Sequence, residues 1–291
     1  MRAFVAAVLV MLNTGLQGSA LLLAALVKVL LPVPAVRRAL DRLLPAIAES
    51  WIAVNSTLID RFTRTRFVLE GLESLRPDGR YLVLANHRSW VDIPVLQKVF
   101  NRRIPLLRFF LKHTLIWVPV LGLCWWALDF PFMRRHTKSQ LAKRPELAGK
   151  DLAATRKACE KFRHIPVSVM NFVEGTRFTP AKHAGQGGAY RHLLRPKAGG
   201  AAFVLGAMGE SLDAVLDVTL HYEPASPTLA DLFADRVRTV RVHVQRRPIP
   251  EGFSGADYEG DREFRKQFQA WMNTLWNEKD ARLAGWNDAA G

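Results

Sequence analysis

Only two cysteines, Cys124 and Cys159, occur among the 291 residues. They cannot supply a disulfide framework or a zinc site of their own, and the body of the chain reads as a reduced-compartment protein. Acidic residues are also scarce: 26 Asp and Glu stand against 41 Lys and Arg, a net charge of +15 and a pI near 10.4. Such a surface seeks phosphate, as nucleic acid, anionic lipid or phosphorylated substrate. The sequence lacks zinc-finger, RNA-recognition and basic-zipper signatures, which argues against nucleic acid. It lacks the G-x-S-x-G elbow of a serine hydrolase, and a Ser89–His87 pair two residues apart makes triad geometry awkward. His113, His136, His164, His183 and His192 have no tight ligand spacing, so no metal centre is expected. There is no internal repeat and no long linker. A hydrophobic fraction of 49%, a charged fraction of 23% and a mean hydropathy of +0.01 exclude a disordered chain and lie below a multi-span membrane protein.

What is abundant is apolar residues at the N-terminus. From Ala3 to Pro32 the single charge is Lys28, with polar interruptions at Asn13-Thr14-Gly15 and Gln17-Gly18-Ser19. Three arrangements fit: a signal peptide, one spanning helix of ~20 apolar residues, or two half-length helices in one leaflet that turn at the polar breaks. Continued apolarity from Leu21 to Leu31 argues against the signal peptide. Arg37, Arg38 and Arg42 follow the run, which predicts that the body of the chain lies on the cytoplasmic face of the inner (plasma) membrane. Leu40, Leu43, Leu44, Ile47, Trp51 and Val54 have helical spacing, suited equally to a membrane surface and to a helix packed on the domain.

Beyond residue 60 the chain alternates strand and helix, an α/β pattern with a mostly parallel central sheet flanked by helices. Strands are predicted at Arg66–Leu69, Tyr81–Ala85, Ile104–Phe110, Val167–Val173, Ala214–Tyr222 and Val237–Val244. Helices are predicted at Pro94–Phe100, Asp151–Phe162, Gly199–Leu212 and Asp261–Trp276. Residues 1–58 form the membrane-anchoring helix or helix pair, and residues 59–291 one catalytic domain.

Two segments carry chemistry. Asn86-His87-Arg88-Ser89-Trp90-Val91-Asp92 leaves the end of the buried Tyr81–Ala85 strand, where α/β proteins place functional groups. Positions five apart lie on different faces of a helix, so a His87–Asp92 hydrogen bond needs a non-helical turn. Ser89 or Asp92 is then the expected N-cap of the following helix, with Pro94 in its first turn. A carboxylate on one ring nitrogen fixes the tautomer and raises the basicity of the other, making His87 a general base. Spacing alone also fits a structural pair. The second segment, Asn171-Phe172-Val173-Glu174-Gly175-Thr176-Arg177, again ends a strand. Gly175 permits a tight turn, Arg177 offers a bidentate fork for phosphate, and Glu174 can hold a neighbouring donor. Alone it fits a turn with a surface salt bridge.

Together, Asn86-His-x-x-x-x-Asp92 and Phe172-Val-Glu-Gly-Thr-Arg177 resemble the glycerolipid acyltransferase family, in particular its 1-acylglycerol-3-phosphate acyltransferases. Leu111-Lys112 to Gly122 is similar to the family's second block, although no paired basic residue stands beside Lys112. Phe130 to Arg135, Leu194 to Gly200 and Val218 to Tyr222 are similar to further blocks, the last without a clear proline motif. The resemblance covers roughly residues 60 to 225.

It implies transfer of a fatty acyl group from a thioester donor, acyl-CoA or acyl carrier protein, to the sn-2 hydroxyl of 1-acylglycerol 3-phosphate, giving phosphatidic acid without a further cofactor or metal. His87 and Asp92 are then catalytic, and Glu174, Gly175, Thr176, Arg177, Lys112 and Arg134 bind the substrate phosphate, Glu174 by orienting the loop. The partners implied are the lysophospholipid, the acyl donor and an anionic membrane surface, with no nucleic acid. Trp117, Trp125, Trp126, Phe130 and Phe132 suit an acyl channel, a membrane interface or the core. A different lysophospholipid or lyso-aminolipid acceptor is the alternative, and a non-enzymatic basic membrane-binding module the second.

Overall fold

The computed structural model describes residues 2–133, 159–160, 162 and 165–288. The Asp151–Phe162 helix expectation and Arg134 fall largely or wholly outside these residues. The chain opens with α1 (Arg2–Leu30) and α2 (Pro34–Phe62), which pack against each other. Contrary to the half-helix arrangement, α1 runs unbroken through both polar interruptions. The reason lies in its neighbour. Asn13 donates to the Trp51 carbonyl at 3.1 Å and to Asn55 Oδ1 at 2.9 Å. Gln17 donates to Asn13 Oδ1, and Trp51 Nε1 donates to Thr14 at 3.0 Å. Side chains four apart share a helix face, so these polar groups form a hydrogen-bonded seam and not the turn that the half-helix alternative required. Lys28 pairs with Asp41 at 2.6 Å near the far end of the seam. Leu21, Ala25, Leu44, Ala48 and Ile59 join the core of the α/β body, so the helix pair is a wall of that body and extends past residue 58.

The sheet contains β1 (Arg66–Glu70), β2 (Arg80–Ala85), β3 (Leu107–Phe109), β6 (Val167–Phe172), β7 (Ala214–Glu223) and β8 (Thr239–Arg247) in the order β1-β8-β7-β2-β6-β3. All neighbours are parallel except β7 and β8, so the mostly parallel sheet is as expected. β2 reads Tyr-Leu-Val-Leu-Ala from residue 81 because both its faces are buried. β8 buries Val240, Val242 and Val244 and turns Arg241, His243 and Gln245 outward, the alternation of a half-covered strand. β3 is shorter than expected, since Pro105 has no amide to give a ladder. Two short strands, β4 (Leu111–Lys112) and β5 (Phe132–Met133), pair separately. The Trp-rich stretch forms a 3-10 turn and α4 (Leu121–Ala127). α4 lies so close to α1 that a Cβ on Gly18 would meet Val120 at 2.5 Å.

The remaining helices are α3 (Asp92–Phe100), α5 (Pro180–Ala184), α6 (Gly199–Met208), α7 (Leu229–Phe233) and α8 (Arg262–Asp288). The short α5 and α7 carry too few residues for a periodic signal. α8 runs beyond the expected Trp276 because its apolar stripe, Phe264, Phe268, Met272, Leu275, Trp276 and Leu283, continues with the helical period. Lys279 interrupts that stripe. It is fully buried and reaches Asp217 of β7 at 2.7 Å, with the Val218 carbonyl as a further acceptor. Burial pulls its ammonium below the ordinary lysine value while Asp217 opposes that shift. Lys279→Met leaves Asp217 buried with Arg247, at 3.3 Å, as its remaining ion-pair partner among the described residues. The expected outcome is a loss of about 3 kcal/mol of folding stability, read as a lowered denaturation midpoint with an unchanged circular dichroism spectrum.

Candidate active site

β2 and β6 are parallel neighbours with Ala85 opposite Phe172, so the loops that follow them leave the sheet side by side at the C-terminal ends of the strands. These loops carry the two sequence motifs. Backbone hydrogen bonds clip them together: Phe178 N–H donates to the His87 carbonyl at 2.8 Å, and Val173 N–H to the Ala85 carbonyl at 3.2 Å.

Within the first loop, His87 Nδ1 lies 2.6 Å from Asp92 Oδ2. The same oxygen accepts from the backbone N–H of Arg88 at 2.6 Å and of Ser89 at 3.0 Å. Tyr222 O–H donates to Oδ1 at 2.7 Å. The non-helical turn between His87 and Asp92 is therefore present. The capping expectation is not met. Val91 occupies the N-cap position without a side-chain bond, Asp92 is committed to the loop, and Ser89 Oγ accepts from Val91 N–H. The Phe172 ring stacks on the imidazole at 3.9 Å between centroids. With Nδ1–H donated to the carboxylate, Nε2 carries the lone pair and can take a proton from a hydroxyl.

The second loop turns at Gly175, whose φ of +67° favours glycine and whose open face is crossed by the Lys197 side chain. The Arg177 guanidinium lies 4.0 Å over the Trp90 ring. Lys182 Nζ donates to Thr176 Oγ1 at 2.7 Å and to the Arg177 carbonyl at 3.1 Å. Glu174, grouped above with the phosphate-binding residues, instead turns into the protein and is 1% exposed, so it cannot face a solvent-borne phosphate. Its carboxyl is pushed up to about 8, first by burial, against the Arg88 charge and the backbone amides of Leu194 and His87.

Two clefts meet at His87. One, of about 310 Å³, is lined by Lys112, Asn171, Gly175, Thr176 and Arg177 over a floor of Phe109, Phe110, Met170 and Phe172. The other, of about 440 Å³, is mainly apolar and runs among Ile52, Ile59, Ile93, Leu115, Trp125 and Phe130. A further small apolar pocket of about 50 Å³, sharing Trp51, Leu121 and Trp125 with it, reaches Gly18 and Leu21 of α1. Among the described residues no three His, Cys, Asp or Glu side chains are grouped to hold a metal ion. Sequence reasoning named Lys112, Gly175, Thr176 and Arg177, and all four line the polar cleft. It missed the individual roles of Asn86, Phe172, Trp90, Lys197 and Tyr222, whose contacts depend on strands far apart in sequence.

The protein-family model described as Acyltransferase matches residues 66–221. The chain is 26% identical over 259 residues to lysocardiolipin acyltransferase 1 of Danio rerio, covering 81% of this chain and 60% of that protein. It is 26% identical over 211 residues to the probable 1-acyl-sn-glycerol-3-phosphate acyltransferase 5 of Arabidopsis thaliana, covering 68% and 53%. The chain thus spans between half and two thirds of the length of these curated relatives. In fold it is similar to the crystal structure of the 1-acyl-sn-glycerophosphate (LPA) acyltransferase PlsC from Thermotoga maritima, with a TM-score of 0.53, 18% identity, and 96% and 98% of the two chains covered.

The state of Glu174 has a consequence for stability. Between the ordinary carboxyl value and about 8 the folded chain keeps a proton at Glu174 that the unfolded chain releases. Stability therefore falls as pH rises through that window, by at most about 5 kcal/mol. Denaturant unfolding at pH 5 and pH 8 checks this: Glu174→Gln, neutral at both, should lose less stability between them than the parent chain. Equal losses would contradict it.

Proposed function

The chain belongs to the Acyltransferase family, and from that premise we propose that it acylates the sn-2 hydroxyl of 1-acylglycerol 3-phosphate, using acyl-CoA or acyl carrier protein as the thioester donor. The observation that carries this reading is an imidazole backed by a buried carboxylate at the junction of an apolar and a cationic cleft. His87 Nε2 takes the hydroxyl proton as that oxygen attacks the thioester carbonyl. The new C–O bond forms, the C–S bond breaks, and the imidazolium returns its proton to the departing thiolate. Asp92 orients the ring and stabilises its charged form. Arg177 and Lys112 face the phosphate, with Thr176 and Gly175 shaping the loop, and Arg134 is a further candidate by family position. The apolar cavity receives an acyl chain. Glu174, held inside, supports the loop from beneath.

The N-terminal helices support a seat in one leaflet. α1 is apolar enough to cross a bilayer, but it is pinned along α2 by Asn13, Thr14 and Lys28. Crossing would carry Arg38, Asp41 and Arg42 into hydrocarbon at about 3 kcal/mol each. Phe4, Met11, Leu12, Leu16 and Leu23 of α1 are exposed, as are Trp117, Leu123 and Trp126 beside it. They form an apolar face suited to lipid, and the positive charge that follows α1 suits the anionic cytoplasmic leaflet of the plasma membrane, which supports a body on that side. Ser89, committed to its own turn, is not available as a nucleophile to His87.

A second reading is favoured by one finding. The Danio rerio relative is named for lysocardiolipin, and the polar cleft is open enough for an acceptor larger than a phosphomonoester.

Acyl transfer by the purified chain to a panel of lysolipids decides between them. His87→Ala should lower turnover by at least about a hundredfold while thermal unfolding stays near that of the parent. Arg177→Ala should raise KM for 1-acylglycerol 3-phosphate about tenfold, with kcat little changed. A fully active His87→Ala variant would refute the base assignment. Turnover of another lysolipid alone would move the acceptor assignment to the second reading.

A further inference from the structure

A strand outside both sequence motifs completes the environment of the acid–base pair. β7 lies beside β2 with Ala85 opposite Val218. Past that register the Asn86 side chain continues the ladder, donating to the Leu220 carbonyl at 2.9 Å and accepting from Leu220 N–H at 2.8 Å. This fixes the height of Leu220, and Tyr222 is two residues farther along the same strand, on the same face of the pleat. Its ring is fully buried, and its hydroxyl is the donor to Asp92 Oδ1, while His87 and two backbone amides occupy Oδ2. Phenylalanine would fill the same space but would leave one oxygen of a buried carboxylate without a donor.

We propose that Tyr222 is a positioning residue for the acyl transfer proposed above, acting on His87 through Asp92. Held at both oxygens, the carboxylate cannot rotate to exchange them, so the aim of the imidazole is set from β7. The phenol also draws carboxylate charge toward Oδ1 and moderates the pull of Oδ2 on the imidazolium. Among the described residues, ionisable groups that act on Asp92 besides His87 and Tyr222 are the charged Arg88 of its own loop and Glu174 just past β6, which keeps its proton up to about 8. The proposal rests on His87 being the base.

The test compares the full chain with Tyr222→Phe and His87→Ala, using 1-acylglycerol 3-phosphate and acyl-CoA and counting only folded molecules by thermal unfolding. For Tyr222→Phe, kcat should fall about tenfold with KM for both substrates nearly unchanged. The acidic limb of the kcat–pH profile should move to higher pH, because the freed carboxylate charge favours the imidazolium. Fluorotyrosine at all four tyrosines strengthens the phenol as a donor and should move the limb the other way. A merely structural tyrosine would change the folded fraction and leave the limb in place. If His87→Ala is inactive but Tyr222→Phe keeps parental turnover and an unmoved limb, the role of Tyr222 is overturned alone. If His87→Ala is active, the base assignment and this proposal fall together. Should Tyr222→Phe not fold, an unmoved limb in the fluorotyrosine protein overturns the proposal.

Discussion

A carboxylate shut away from solvent is expensive to bury unless donors surround it, and Asp92 is such a group, with no exposed surface. It reaches its partners only because the loop after β2 bends back over itself and because β7 brings a phenol to its other side. Each donor comes with a structural demand: β2 must end at Ala85, α3 must begin at Asp92, and β7 must hold its register. The fold around the cleft is organised to meet those demands. The parallel pairing of β2 with both β6 and β7 is what gathers three chain segments at one edge of the sheet.

Legibility from sequence followed the locality of the physics. β2 was readable because a strand buried on both faces is a continuous apolar run, β6 and β7 because β-branched and apolar residues dominate them despite Ser168, Asn171, Asp217 and Thr219, and the two motifs stood out at the ends of the first two. The His87–Asp92 contact was accessible because it spans one short turn. Asn13, Thr14 and Gln17 left a break and a continuous helix equally open, since a polar patch in an apolar helix looks the same whether it turns the chain or meets a partner. Their partners, Trp51 and Asn55, lie about forty residues on. Glu174 shows a related limit: its motif marks it as a loop-orienting residue beside the phosphate group, but only its burial shows that it faces away from the cleft. The roles of Tyr222, Trp90 and Lys197 are set by contacts between separate strands and loops, which no local pattern encodes.

The two clefts that meet at His87 differ in polarity. Basic groups gather where Lys112 and Arg177 face open space, whereas the cavity behind His87 is lined almost wholly by hydrocarbon and indole. The imidazole sits between them with an aromatic ring, Phe172, against its face. The stack limits ring motion from one side, as the carboxylate does from its edge. An imidazole constrained in this way has little ring freedom left to lose.

The innermost apolar pocket is walled in part by Thr14, Gln17, Gly18 and Leu21, all on the helix whose opposite side is bare hydrocarbon. One surface of that helix therefore meets the surroundings of the protein while the other bounds a small apolar pocket. Exposed face and pocket wall are cut from a single piece of chain. Neither can be exchanged, trimmed or redesigned as a module, because removing the first opens the second.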